Sequence, residues 1–288
     1  MKKVLVTGGN GQLGNELRVL SKLGNDNHQY FFTDVEDLDI TNESDLKDWF
    51  SKNKPDQVIN CAAYTAVDKA EENSSLCYLI NQTGAEYLAK ECNNVGARMI
   101  QISTDYVYHN EINRPLQESD PTHPQSVYAN SKLEGDLAVL SASLNNLVIR
   151  TSWVYSSFGH NFVKTMIRLG QERDSLNVVC DQIGTPTYAR HLAQALITIL
   201  SHPESEGGIY HFSNEGVASW YDFATAIMSI EGLACQVFPI PTEQYPTPAA
   251  RPLYSVLSKE KIKGSFDLTI PHWREGLKEC LSLLKKGQ

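Results

Sequence analysis

Lys2-Lys3-Val4-Leu5-Val6-Thr7-Gly8-Gly9-Asn10-Gly11-Gln12-Leu13-Gly14 begins with a compact apolar run that stops at glycine. Such a run reads as a strand buried on both faces, as in a parallel sheet. The amphipathic stretch 13–23 continues as a helix and stops at Gly24. Between the two stand Gly8, Gly11 and Gly14, three residues apart. The spacing differs from G-x-G-x-x-G, but the logic is shared. The first glycine turns the chain, the second lets backbone approach a pyrophosphate, and the third lets helix pack on strand. The anion would rest on the helix N-terminus, where free N–H groups and the dipole favour negative charge.

Residues 28–33 read as a second strand ending at Asp34, where a carboxylate accepts from adenosine ribose hydroxyls. Thr41 offers an N-cap, with Glu43 and Asp45 in the first turn of a helix that Pro55 breaks. Residues 57–62 form a third apolar strand whose end, Asn60-Cys61-Ala62-Ala63, is small enough for close cofactor approach or close packing. A long helix over 74–94 and strands over 98–103 and 146–151 follow. This alternation predicts an α/β Rossmann-type fold, a doubly wound parallel sheet. After Trp153 the rhythm changes: helices over 161–173, 190–201 and 219–230, and strands over 176–180 and 208–213, the last placed to rejoin the main sheet. Prolines 239, 241, 246, 248 and 252 predict an extended loop, and 273–285 a closing helix. We expect a dinucleotide-binding domain over 1–175 plus 188–214, and a smaller substrate domain over 176–187 plus 215–288.

A net charge of −9 and a pI near 5.4 argue against nucleic-acid or anionic-membrane partners. A phosphate-bearing substrate must therefore meet a local cation. The apolar run at the N-terminus is too short for a signal peptide, and none approaches the ~20 residues of a membrane span, so a cytoplasmic location is expected. Six scattered cysteines without C-x-x-C fit reduced thiols better than disulfides or zinc ligands.

Tyr128 and Lys132, four apart, share one helix face. A lysine held there near a cofactor ribose favours the phenolate and lowers the tyrosine pKa from ~10. Such a phenol passes a proton to or from a carbonyl oxygen. Ligands of open parallel sheets bind beyond the carboxyl ends of the strands. Gly8, Asp34, Ala62 and Thr104 would thus converge on one crevice, with Tyr128 opening the next helix and the Thr104 hydroxyl holding the carbonyl oxygen.

The glycine spacing with Thr104, Tyr128 and Lys132 resembles the extended short-chain dehydrogenase/reductase family. Within it, Leu38-Asp39-Ile40-Thr41, the block 62–71 and Ser103-Thr104-Asp105-Tyr106-Val107-Tyr108 are similar to the dTDP-4-dehydrorhamnose reductases. So are Arg150-Thr151-Ser152-Trp153-Val154-Tyr155, Asn161-Phe162-Val163-Lys164-Thr165-Met166, Asp181-Gln182-Ile183-Gly184-Thr185-Pro186-Thr187 and the block 245–252. The resemblance implies NADH- or NADPH-dependent reduction of the 4-keto group of dTDP-6-deoxy-L-lyxo-4-hexulose. Thr104 and Tyr128 would contact the keto oxygen, Tyr128 as proton donor, and Lys132 the nicotinamide ribose. It implies dinucleotide contacts at Asn10, Gln12, Leu13, Asp39 and Ile40, and at Ala62, Ala63 and Tyr64. Substrate contacts would come from Val67, Asp105 and Tyr106, from Gln182, Thr185 and Thr187, and from Trp153, which reads equally as core. Arg251 is the cation suited to the diphosphate. The alternatives are a nucleotide-sugar epimerase or dehydratase of the same superfamily, for which Asp105 supplies an acid, and a dinucleotide-binding regulatory subunit like that of methionine adenosyltransferase.

This sequence departs from those reductases at 109–114 and at Tyr254. Some of them are dimers bridged by Mg²⁺ on glutamates; Glu16 matches one ligand, but Arg190 replaces another. A monomer or weak homodimer without bridging metal is expected. Thr33-Asp34-Val35-Glu36-Asp37 carries no cation before Lys47, which favours NADH over NADPH unless folding brings Lys3, Arg18 or Lys69 to the site.

Overall fold

Residues 1–24, 27–109 and 111–287 are described in a computed structural model. The chain order is β1 (Lys2–Thr7), α1 (Gln12–Leu23), β2 (His28–Phe32), α2 (Glu43–Asn53), β3 (Gln57–Asn60), the single turn α3 (Val67–Ala70), α4 (Ser74–Tyr78) and, across a π-turn (Leu79–Thr83), α5 (Gly84–Val95). Next come β4 (Arg98–Thr104), α6 (Val127–Ala142), β5 (Leu147–Thr151), β6 (Val154–Tyr155), α7 (Phe162–Glu172), β7 (Ser175–Val179), β8 (Ile183–Gly184), β9 (Thr187–Tyr188) and α8 (Ala189–Leu200). β10 (Gly208–His211), β11 (Ala218–Ser219), α9 (Trp220–Glu231), β12 (Gln236–Ile240), α10 (Glu260–Phe266) and α11 (Trp273–Lys285) complete the fold.

The main sheet runs β10-β5-β4-β3-β1-β2, and every neighbouring pair is parallel. β10 does rejoin it, as the edge beside β5. From β1 the chain goes to β2 on one side and then crosses to β3 on the other, so the order reverses at β1. That switch point opens the crevice in which such sheets bind ligands. Leu17, Leu192 and Leu196 bury one face of the sheet, and Phe50, Leu88 and Val139 the other. A second core gathers Phe223, Ile227, Trp273 and Leu277. Val163 and Met166 of α7 join that second core rather than the first.

Local physics changes several boundaries. Asn42, not Thr41, caps α2 by accepting from the Asp45 N–H at 3.3 Å. Thr41 is engaged by Asp39, whose Oδ1 accepts from its N–H and hydroxyl, each at 2.8 Å. The long helix over 74–94 is interrupted by the π-turn. There the Asn81 side chain leaves the helix's own pattern, accepting from Tyr64 N–H and donating to Ser131 Oγ. Gly135 of α6 crosses so close that a Cβ would stand 2.1 Å from the Asn81 carbonyl. Pro239, expected in a loop, lies in β12, a strand of a two-stranded sheet with β7 where its missing N–H is tolerated. α10 carried no clear sequence signal. In the divergent 109–114 segment, Asn110 lies outside the described residues. No helix among the described residues is long and apolar enough to cross a membrane. The six cysteines are free thiols.

Candidate active site

The glycine loop is shaped by clearance. Gly8 has φ +63°, and a Cβ there would stand 2.6 Å from the Ala62 nitrogen. A Cβ on Gly14 would meet the Gly8 carbonyl at 2.5 Å, so this glycine lets α1 pack on the loop rather than lining the cavity. Gly11 begins α1 without a side-chain cap. The helix's first-turn N–H groups therefore face a cradle suited to a pyrophosphate. Asp34 is fixed beside it, accepting from Asn10 N–H at 2.8 Å and Val35 N–H at 2.9 Å. Arg18 lies over the Phe32 ring, 5.0 Å from its centroid, and donates to the Gly9 carbonyl and to Asn10 Oδ1.

A cavity of about 830 Å³ extends from this cradle along the carboxyl ends of the strands. Gly8, Asn10, Gly11, Gln12 and Leu13 form its floor, and Asp34, Asp39 and Ile40 one end. Ala62, Ala63 and Val67 line the middle. Thr104, Asp105, Tyr106, Tyr128, Lys132 and Trp153 line the other end. The five remaining expected contacts lie outside this lining. Tyr64 is held by its backbone on Asn81. Gln182 is buried between Trp220 and Thr242, at 3.2 Å from each. Thr185 donates to the Gly216 carbonyl at 2.9 Å, and Thr187 is fully buried. Arg251 grips both carboxylate oxygens of Asp68, at 3.0 and 2.7 Å. Trp220, which the sequence did not single out, does line the cavity.

At the reactive end Thr104 and Tyr128 both line the cavity. The Thr104 hydroxyl donates to Asp105 Oδ1 and accepts from Tyr106 N–H, both at 3.2 Å. Burial pushes the Asp105 carboxyl up to about 7. It also pushes the Tyr128 phenol well above its ordinary range, a shift the Thr104 hydroxyl opposes and Asp105 adds to. This reverses the expected lowering by Lys132. The reason is that the phenol sits among protein atoms and anionic or neutral neighbours, while the Lys132 ammonium is turned to the Ile102 carbonyl, 2.6 Å away. Burial lowers the Lys132 pKa, and Asp136 opposes that shift.

Behind Lys132 runs a buried polar chain. Asp136 Oδ2 accepts from Ser103 Oγ at 2.8 Å and from Arg150 Nε at 3.2 Å. Arg150 Nη1 donates to Tyr108 Oη at 2.6 Å, which lies 2.8 Å from His211 Nε2. Burial holds His211 neutral, its pKa pushed down to about 3. With Nδ1 donating to the Leu116 carbonyl at 3.2 Å, Nε2 accepts from Tyr108.

Glu16 lies beneath the surface of the chain. It is fully buried, accepts from Ser156 Oγ at 2.6 Å and feels the Arg190 charge. Tyr254 pairs with Ile183 in an isolated bridge.

The profile of the RmlD substrate binding domain matches residues 1–286. A dTDP-4-dehydrorhamnose reductase from Clostridium acetobutylicum superposes with a TM-score of 0.93 at 44% identity, covering 98% of this chain and 99% of that one. This chain belongs to the dTDP-4-dehydrorhamnose reductase family. A second reductase of the family, from Bacillus anthracis and solved in complex with NADP, gives a TM-score of 0.93 at 38% identity over 98% of this chain and 100% of that one. Spore coat polysaccharide biosynthesis protein SpsK of Bacillus subtilis is 43% identical over 98% of this chain and 97% of its own length. The reductase resemblance thus spans the second core as well as the main sheet.

Proposed function

We propose that this reductase-family chain converts dTDP-6-deoxy-L-lyxo-4-hexulose to dTDP-L-rhamnose, the last step of dTDP-rhamnose synthesis, with a reduced nicotinamide dinucleotide. The observation that carries the proposal is the Thr104–Tyr128 hydroxyl pair in the same cavity as the glycine cradle. The cradle fits a dinucleotide because the uncapped N-terminus of α1 opens on the cavity that Gly8 and Gly11 line without side chains. Gly8, Gly11 and the α1 N-terminus would hold the pyrophosphate, Asp34 the adenosine ribose and Lys132 the nicotinamide ribose. The bound dinucleotide supplies a hydride for the ketone carbon.

The chain's own residues manage the oxygen. Thr104 and Tyr128 receive the keto oxygen between their hydroxyls, and Tyr128 Oη gives it a proton as negative charge develops. A raised phenol pKa keeps Tyr128 in the protonated form a general acid requires. Lys132 stabilises the phenolate left after transfer. Val67, Asp105, Tyr106 and Trp153 surround the sugar. Arg251 reaches the diphosphate by exchanging one carboxylate oxygen of Asp68 for a phosphate oxygen, both being anionic partners for its planar fork. The second core, with 176–187 and 215–288, forms the substrate half. Folding brings Arg18 to Asn10, but Asp34 and not Arg18 lines the cavity, so NADH is the preferred donor: Asp34 accepts from a ribose 2′-hydroxyl and repels a 2′-phosphate.

The test is oxidation of NADH or NADPH by the purified chain, driven by the dTDP-4-keto-6-deoxy sugar, with the product sugar identified. Formation of dTDP-L-rhamnose is expected. Dinucleotide binding without turnover of this sugar would overturn the proposal.

A further inference from the structure

Trp153 and Trp220 stack face to face, with ring centroids 3.6 Å apart and planes within 7°. Trp153 holds a backbone φ of +47°, a left-handed conformation unusual for a bulky side chain. Such strain persists only where surrounding contacts over-determine it, and it gathers at ligand sites. The contacts here are specific. The Trp153 carbonyl accepts from Thr187 N–H at 3.2 Å, and Gly184 clears the ring, since a Cβ there would stand 2.8 Å from Cε2. Trp220 is fixed from three sides. Its Nε1 donates to Gln182 Oε1 at 3.2 Å, and its ring leans on Phe162 at 4.7 Å. The Ser219–Asp222 capping box sets the start of α9, where it stands.

A stack that served only the core would be buried. Instead both rings remain half-buried and line the cavity. Trp153 lies two residues beyond Thr151, the register partner of Thr104 across β4 and β5. The stack therefore stands at the reacting end of the cavity.

We propose that Trp220 is a positioning residue: hung from Gln182, it holds the Trp153 ring as a wall against the C–H face of the sugar beside Thr104 and Tyr128. The inference rests on the nucleotide-sugar reading of the cavity and assigns Gln182 to the wall rather than to the ligand. A misplaced wall lets the ring tilt from its near-attack position, so the loss falls on turnover as well as on binding.

The experiment compares the unmutated chain with Trp220→Ala, Trp220→Phe and Gln182→Met. It reads the circular-dichroism couplet of the stacked indoles, dinucleotide Kd, and kcat and KM for the dTDP-4-keto-6-deoxy sugar. Trp220→Ala is expected to lose the couplet, keep dinucleotide Kd and lower kcat/KM by about 10–100-fold, largely in kcat. Trp220→Phe should restore most of the turnover by supplying a flat ring. Loss of the couplet with kcat/KM within about twofold of the unmutated value would overturn the proposal. If Trp220→Ala fails to fold, Gln182→Met decides, since it removes only the anchor: a weakened couplet with unchanged kinetics overturns it. If the unmutated chain does not turn over, the proposed reaction fails instead. The wall is then judged by whether a dTDP-sugar perturbs the couplet, and no perturbation overturns it.

Discussion

Lys132 and Asp136 stand one turn apart on α6 and dock on consecutive residues of β4. Lys132 Nζ donates to the Ile102 carbonyl at 2.6 Å, and Asp136 accepts from Ser103 Oγ at 2.8 Å. The helix that carries the candidate acid is thus pinned by one cation and one anion, with Arg150 behind the anion.

Asp136→Asn is expected to act twice. It leaves the buried Arg150 guanidinium without its carboxylate, which costs about 3–5 kcal/mol when one partner of a buried pair is removed. It also removes the anion that opposes the burial-driven fall of the Lys132 pKa, leaving only the thiols Cys61 and Cys77 beside the ammonium. The alkaline loss of kcat should then begin at lower pH than in the unmutated chain. Urea unfolding and a kcat–pH profile check both, and an unmoved alkaline limb would show that Asp136 does not govern Lys132.

Asp105 gives a second pH effect. Its carboxyl is raised to about 7 in the folded chain, against ~3.9 unfolded. Between these values the folded state binds more protons, so this contribution to stability is full below ~4 and is lost as pH rises to about 7. The loss is at most about 4 kcal/mol. Asp105→Asn should flatten the change in Tm across that window. The same slope in variant and unmutated chain would assign it elsewhere.

The proposed preference for NADH rests on two opposed groups. Asp34 faces the cradle, and Arg18 lies on the other side of Asn10. Asp34→Ala should lower KM for NADPH and narrow the preference for NADH, while Arg18→Ala should widen it. Even a residual ~1.4 kcal/mol of repulsion is a tenfold preference. Equal or better kcat/KM with NADPH in the unmutated chain would refute the assignment.

Arg251 and Asp68 form a clasp between α3 and the proline-rich loop, and the Arg251 bond holds the Asp68 carboxyl below the usual range. Arg251→Ala should raise KM for the dTDP-sugar and weaken dTDP itself, with dinucleotide Kd unchanged. Unaltered dTDP affinity would leave Arg251 only the clasp.

Much of this site was legible because it is local in sequence. Glycine clearance at Gly8 and Gly14, the strand ends at Asp34 and Thr104, and the one-turn spacing of Tyr128 and Lys132 all follow from short-range rules. What was not legible depends on partners distant in the chain. Trp220 reaches the cavity only because β11 pairs with β8, and Arg251 meets Asp68 across 183 residues. The Tyr128 phenol is raised rather than lowered because of burial, which no spacing reveals, and because the Lys132 ammonium is turned to the Ile102 carbonyl. The π-turn likewise answers to the crossing of Gly135 over Asn81.

The most direct test is Tyr128→Phe, which removes one hydroxyl from the cavity that Thr104 also lines. Turnover of the dTDP-4-keto-6-deoxy sugar and binding of NADH are measured side by side. kcat is expected to fall by about 10²–10⁴, the range of general acid catalysis, while NADH Kd and Tm stay close to those of the unmutated chain. Turnover near the unmutated value would contradict Tyr128 as the proton donor.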